Sequence, residues 1–174
     1  MKSTDLINLL PEFILLLGAA AVFALDILVK RWRSKSWLPA VALGVLLLAL
    51  LAMIPSAGKV QVVASMLVVD PFALFFKVLA VVAVALVILT AMPYLRGRTP
   101  YSGEFYALLL IATLAICLAV SSVNLIMIYL AMEFLSITSY VLAGYLRQDR
   151  KSGEAAVKYF LYGATASAVM LYGM

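Results

Sequence analysis

Glu133 is the one acid in the apolar, hydroxyl-dotted run V-N-L-I-M-I-Y-L-A-M-E-F-L-S-I-T-S-Y-V-L-A-G-Y-L, from Val123 to Leu146. A charged turn, R-Q-D-R-K-S-G-E, leads into a second run, A-A-V-K-Y-F-L-Y-G-A-T-A-S-A-V-M-L-Y-G-M, which carries Lys158. A helix rises about 1.5 Å per residue, so the first run is long enough to cross a hydrocarbon core of roughly 30 Å. Glu133 then sits near mid-depth. An acid there costs about 2.5–3.5 kcal/mol on insertion scales, and membrane proteins keep such groups mainly where ions or protons move. Tyr129, Ser136 and Tyr140, at offsets of four, three and seven residues, share its helix face, and Thr138 and Ser139 add hydroxyls one turn on. A carboxyl group in such surroundings is switched between protonated and charged forms by the approach or withdrawal of an ammonium group.

Lys158 is the candidate for that ammonium. A short loop joins the two runs, so they are expected to lie antiparallel as neighbours. By rise alone Lys158 falls nearer the loop than Glu133 by roughly 10 Å, which leaves a direct ion pair out of reach without water or another lysine between them. The opposing reading makes both groups structural, with Glu133 bonded to a neighbouring helix and Lys158 reaching the interface along its own stem. The mid-span position favours a functional Glu133. For Lys158 the two readings stand level.

These residues need a scaffold that lives in lipid, and the composition supplies one. Of 174 residues 67% are hydrophobic and 12% charged, where a soluble domain has about 25% charged residues. The expected fold class is all-α, a polytopic membrane protein with six transmembrane helices over about 11–29, 37–54, 71–94, 104–120, 123–146 and 153–174, forming one membrane domain. Histidine is absent and Cys117 is the lone cysteine, which argues against a metal centre, an iron–sulfur cluster or an intrachain disulfide. Without a glycine-rich nucleotide loop, no NADH or FMN site is expected in this chain either. The net charge of +5 does not point to nucleic acid. The basic residues are confined to short loops rather than spread over one soluble face.

The loops after the first, third and fifth spans hold Lys30, Arg31, Arg33, Lys35, Arg96, Arg98, Arg147, Arg150 and Lys151, nine of the thirteen basic residues. That bias predicts cytoplasmic basic loops and an outside N-terminus. Trp32 and Trp37 flank the first basic loop, as expected at headgroup depth. Asp70 followed by Pro71 reads as a helix cap. Glu154 reads as an acid in the first turn of its helix, where the helix dipole favours it. Asp26, four residues before Lys30, is expected to pair with it or to reach the membrane edge. Lys77 is open between snorkelling and a buried polar role. Glu12 is noted only as a charge at the approach to the first span. Residues 56–69 read as a loop with a short strand in V-Q-V-V. The chain stops within apolar helical sequence at Met174, which reads as a fragment of something longer.

The runs M-E-F-L-S-I-T-S-Y-V-L-A-G-Y, R-K-S-G-E-A-A-V-K-Y-F-L-Y-G-A and S-A-V-M-L-Y-G resemble the antiporter-like membrane subunits of respiratory complex I, the NADH–quinone oxidoreductase, and within them the subunit N group. L-L-P-E at Leu10, V-D-P-F at Val69 and E-F-Y-A-L-L-L at Glu104 agree more loosely. The resemblance implies a subunit of about fourteen spanning helices, built from inverted repeats after three leading helices. It also implies proton translocation through Glu133 as the fifth-span glutamate and Lys158 as the sixth-span lysine. NADH, FMN, iron–sulfur clusters and quinone would be bound by other subunits, and the partners would be the other membrane-arm subunits, the inner-membrane lipid bilayer and protons. A component of a multi-subunit sodium/proton antiporter, sharing the same glutamate, is the alternative.

Overall fold

Long apolar runs punctuated by Pro, Gly and charge clusters become helices here because a helix satisfies its backbone polar groups internally, as lipid requires. The computed structural model describes residues 8–28, 37–58, 60–63, 65–96, 99 and 102–174. Helix α1 spans Leu10–Leu28, and α2 spans Leu38–Met53 with a 3-10 turn, Ile54–Ser56, at its end. Strands β1, Gln61–Val63, and β2, Leu67–Val69, follow. Then come α3, Pro71–Leu95; α4, Ser102–Ser121; α5, Leu125–Ala143; and α6, Arg150–Gly173. The first basic loop, with Lys30 and Trp32, lies outside the described residues, as do Lys2, Lys59 and Arg98.

Caps start the helices where polar side chains can reach free N–H groups. Asp70 accepts from Ala73 N at 2.6 Å, and Asn124 accepts from Ile126 N at 2.9 Å. Asp149 accepts from Lys151 N at 3.0 Å. The last of these moves the start of α6 ahead of the expected position near Gly153, so Glu154 is not a first-turn acid.

Helix α4 is the axle of the bundle. Eleven of its twenty residues are buried, and it packs against α1, α2, α3 and α5. Ala107, Ala112 and Ala115 keep its surface shallow, so that neighbours approach closely. Leu15, Val22, Leu46, Ile88, Tyr106 and Leu110 form the centre of the apolar core. The outside is greasier than the inside is uniform: Leu17, Phe72 and Phe75 are all more than 60% exposed, while Glu12, Asp26 and Lys77 are buried. That inversion suits lipid. Five helical segments, α1, α2 with its 3-10 turn, α3, α4 and α5, are long and apolar enough to cross a membrane. Helix α6 is not among them. Arg150, Lys151, Glu154 and Lys158 charge its first nine residues, and none of its residues is buried.

The segment expected to be a loop with one strand is a hairpin. β1 and β2 pair antiparallel, Gln61 with Val69 and Val63 with Leu67, and Ser65 takes a left-handed φ of 56° in the turn. Val63, Leu67 and Val69 press their buried face onto Leu9, Leu118 and Met127. Leu67 also bridges to Ser122, and Val123 N donates to Met66 O at 3.0 Å. The hairpin thus caps one end of the bundle, where α1, α3 and α5 begin and α4 ends.

Candidate functional site

α5 carries Glu133, and its neighbour α6 fixes which way that face looks. Ser152 Oγ donates to Ala143 O at 2.8 Å, and a side chain on Gly144 would meet the methyl of Ala156. Deeper in, the Tyr140 ring packs edge-on to Tyr159, centroids 4.9 Å apart, and to Phe160 at 5.7 Å. Its phenol fills the place a side chain on Gly163 would take. These pairings set an antiparallel register. Glu133, seven residues before Tyr140, shares its helix face and comes level with the small-residue stretch around Ser167.

Glu133 is partly buried, and its Oε1 atom is fully buried with no hydrogen-bond partner among the described residues. Thr138 and Ser139, counted among the hydroxyls of a hydrated face, donate instead to their own helix, to Phe134 O and Leu135 O, each at 2.8 Å. Such back-bonding is how lone hydroxyls are satisfied in apolar helices.

Lys158 lies elsewhere. Its Nζ pairs with Glu154 Oε1 at 2.6 Å, one turn earlier on α6, and both side chains are largely exposed. The register puts Lys158 opposite the end of α5 near Leu142, nine residues from the level of Glu133, or about 14 Å along the axis. The two groups sit on neighbouring helices but do not meet.

Elsewhere the structure places two charged groups, Lys77 and Asp26, that the sequence left open. Lys77 does not snorkel: its Nζ is 2.6 Å from Glu12 Oε1, with side chains only 4% and 7% exposed. A signal for the pair was present. Spans one and three run in the same direction, so two opposite charges near their N-terminal ends fall at similar depth. Asp26, near the end of α1, is buried. It packs where a side chain on Gly103 would stand, at the start of α4; its expected partner Lys30 is outside the described residues. Glu104, next in α4, meets Arg147 from beyond α5 at 3.4 Å.

Opposed positions on α1 and α4 now line up. Asp26 meets Gly103 at one end, and at the other Glu12 comes level with Cys117. Cys117 is buried there. Among the described residues no cluster of His, Cys, Asp or Glu is fit to hold a metal ion.

The family description "NADH:quinone oxidoreductase/Mrp antiporter, TM" matches residues 122–174, the segment that holds both Glu133 and Lys158. NADH-quinone oxidoreductase subunit N 1 of Solibacter usitatus is 37% identical over 98% of this chain and 35% of its own length. NADH-quinone oxidoreductase subunit N 2 of Symbiobacterium thermophilum is 40% identical over 97% of this chain and 35% of its own. The chain is a homologue of NADH-quinone oxidoreductase subunit N. A chain in the solved structure of respiratory complex I from Thermus thermophilus with bound aureothin superposes with a TM-score of 0.76. It is 29% identical, over 94% of this chain and 35% of that one. The chain therefore spans about a third of the length of the relatives it matches. The matched family segment covers the α5–α6 hairpin, and the all-α architecture is similar to that of a chain of respiratory complex I.

Proposed function

We propose that the chain forms part of a proton-translocating membrane subunit of an NADH–quinone oxidoreductase, with Glu133 as a proton-carrying group. One observation carries this reading: a mid-span carboxylate in the antiporter-matched segment whose buried Oε1 has no partner among the described residues. A buried carboxylate oxygen left without a donor is costly, and a proton or a water molecule is what would serve it, which suits a proton carrier. Lys158, held by Glu154 on an exposed face, acts as a displaced counter-charge further along the same helix pair. Its influence on Glu133 runs through intervening groups rather than by contact.

In this reading electrons from NADH reach quinone in other subunits, which also hold the FMN and iron–sulfur clusters. The chain's partners are the other membrane-arm subunits, the lipid bilayer and protons. It lies in the bacterial inner membrane with the N-terminus outside and the basic loops cytoplasmic, the orientation supported by nine of thirteen basic residues in alternate loops. Helix α6 crosses as a sixth span, its charged first turns at the cytoplasmic surface.

The test is Glu133→Gln in the chromosomal gene, with proton pumping measured in membrane vesicles against NADH oxidation. Pumping is expected to fall while the complex stays at normal abundance; unchanged pumping at normal abundance sinks the role. The family description also names Mrp antiporters, so a multi-subunit sodium/proton antiporter is the second reading. Co-purification with NADH-driven quinone reduction supports the first. Its absence, together with sodium-sensitive growth of a deletion strain, supports the second.

A further inference from the structure

We propose that Glu12, Lys77 and Ser121 enclose an internal hydration site in the leading helices, with a water molecule held between Glu12 Oε2 and Ser121 Oγ. This is a second hydrated charge centre, built from α1, α3 and α4 and separate from Glu133. Glu12 is 6% exposed, Lys77 3% and Ser121 3%, so bulk solvent does not satisfy any of the three.

The pair itself leaves one oxygen unserved. Lys77 donates to Glu12 Oε1, whereas Glu12 Oε2 is buried with no hydrogen-bond partner among the described residues. A carboxylate accepts only, so Oε2 needs a donor. Ser121 Oγ is likewise buried and unpartnered among the described residues, and its case is unlike that of its neighbours. Thr113 donates to Leu109 O and Ser122 to Leu118 O, each four residues back on the same helix. Ser121 makes no such bond, which leaves its hydroxyl available to the bundle interior.

Geometry brings the two orphan oxygens within range of one bridging molecule. The α1–α4 register sets Glu12 level with Cys117, and Ser121 lies four residues on, one helical turn or about 5.4 Å towards the hairpin. Two O–H···O bonds of about 2.8 Å laid end to end span roughly the same distance. A buried water needs two to four polar partners. Glu12 Oε2 accepts one of its protons and Ser121 Oγ exchanges a bond with it, while Lys77 supplies the charge that keeps the site polar. Level with Ser121, Asn8 donates to Gln61 Oε1 and ties α1 to the hairpin at the end of the site.

The proposal is tested on the assembled complex, imaged by cryo-electron microscopy at a resolution that shows ordered water, as wild type and as Ser121→Ala. Serine to alanine inside a helix removes one hydroxyl and favours the helix, so the variant folds. The expected result is water density within hydrogen-bonding reach of Glu12 Oε2 and Ser121 Oγ, lost in S121A while the Glu12–Lys77 pair stays in place. A direct Ser121–Glu12 bond, a protein donor from elsewhere in the complex on Oε2, or water that persists unchanged in S121A overturns it. Infrared difference spectra between wild type and S121A, recorded in ordinary and oxygen-18 water, give an independent readout. An isotope-sensitive O–H stretching band present in the wild type and lost in the variant is expected. The absence of such a band counts against the site.

Discussion

Lys77 Nζ stands 2.6 Å from Glu12 Oε1, joining α3 to α1 across 65 residues of sequence in the interior of the bundle. Removing one partner strands the other as a buried charge, which typically costs about 3–5 kcal/mol, whereas replacing both by apolar groups of similar volume is often neutral. Lys77→Met alone is therefore expected to lower the thermal midpoint and membrane abundance sharply. The double variant Glu12→Leu, Lys77→Met is expected to recover most of the loss. A double variant no better than the single one would show that the pair does more than neutralise itself.

Gly163 is the second position where one atom decides packing. The Tyr140 phenol fills the space a Cβ would need, and overfilling a packed contact costs about 1–3 kcal/mol. Gly163→Ala should destabilise the α5–α6 hairpin by that amount. Adding Tyr140→Ala should abolish the penalty of the alanine, though not the loss of the tyrosine's own contacts. Thermal unfolding of the four variants in detergent measures the coupling.

Lys158 offers a discriminating double-mutant cycle. Its exposed i,i+4 pairing with Glu154 is expected to show a coupling of roughly 0.3–0.5 kcal/mol. The cycle between Lys158 and Glu133 should show none in stability, because they do not touch. Substantial Lys158–Glu133 coupling in folding would contradict the register drawn above.

Cys117 is fully enclosed, and a buried thiol without access is chemically inert. Membrane-permeant maleimide should leave it unlabelled in the native bundle and label it once the bundle is unfolded in detergent and denaturant. Rapid labelling under native conditions would mean that α4 is not the axle described here.

Elements governed by local chemistry were legible in the sequence. Asp70 before Pro71 announced its own cap, and the apolar runs announced helices α1 to α5, because hydropathy and capping depend on residues a few places apart. The polar interior was legible only in part. Glu133 was visible because nothing near it in sequence explains an acid at that depth. Lys77 and Glu12 were visible singly, but their pairing needs α1 and α3 both gathered around α2 and α4, and Asp26 against Gly103 needs the α1–α4 register. Neither register is written in any local pattern. Glu154 was misread for a smaller reason: Asp149 begins the helix earlier than Gly153 suggested, and a shift of one turn changed Glu154 from a dipole-facing acid into the partner of Lys158.

The small β-hairpin has a mechanical consequence. Its second strand is bonded to Ser122, and its turn accepts from Val123 N, at the corner where α4 gives way to α5. The helix bearing Glu133 is therefore tied at that end to the hairpin, and just past its other end Tyr145 packs edge-on to Phe105 of α4, ring centroids 5.1 Å apart, beside the Ser152 bond from α6 and the Glu104–Arg147 contact. A rod held at both ends moves most at its middle. A sideways push on α5 would therefore bow the helix and shift Glu133, near mid-span, more than either Leu125 or Ala143.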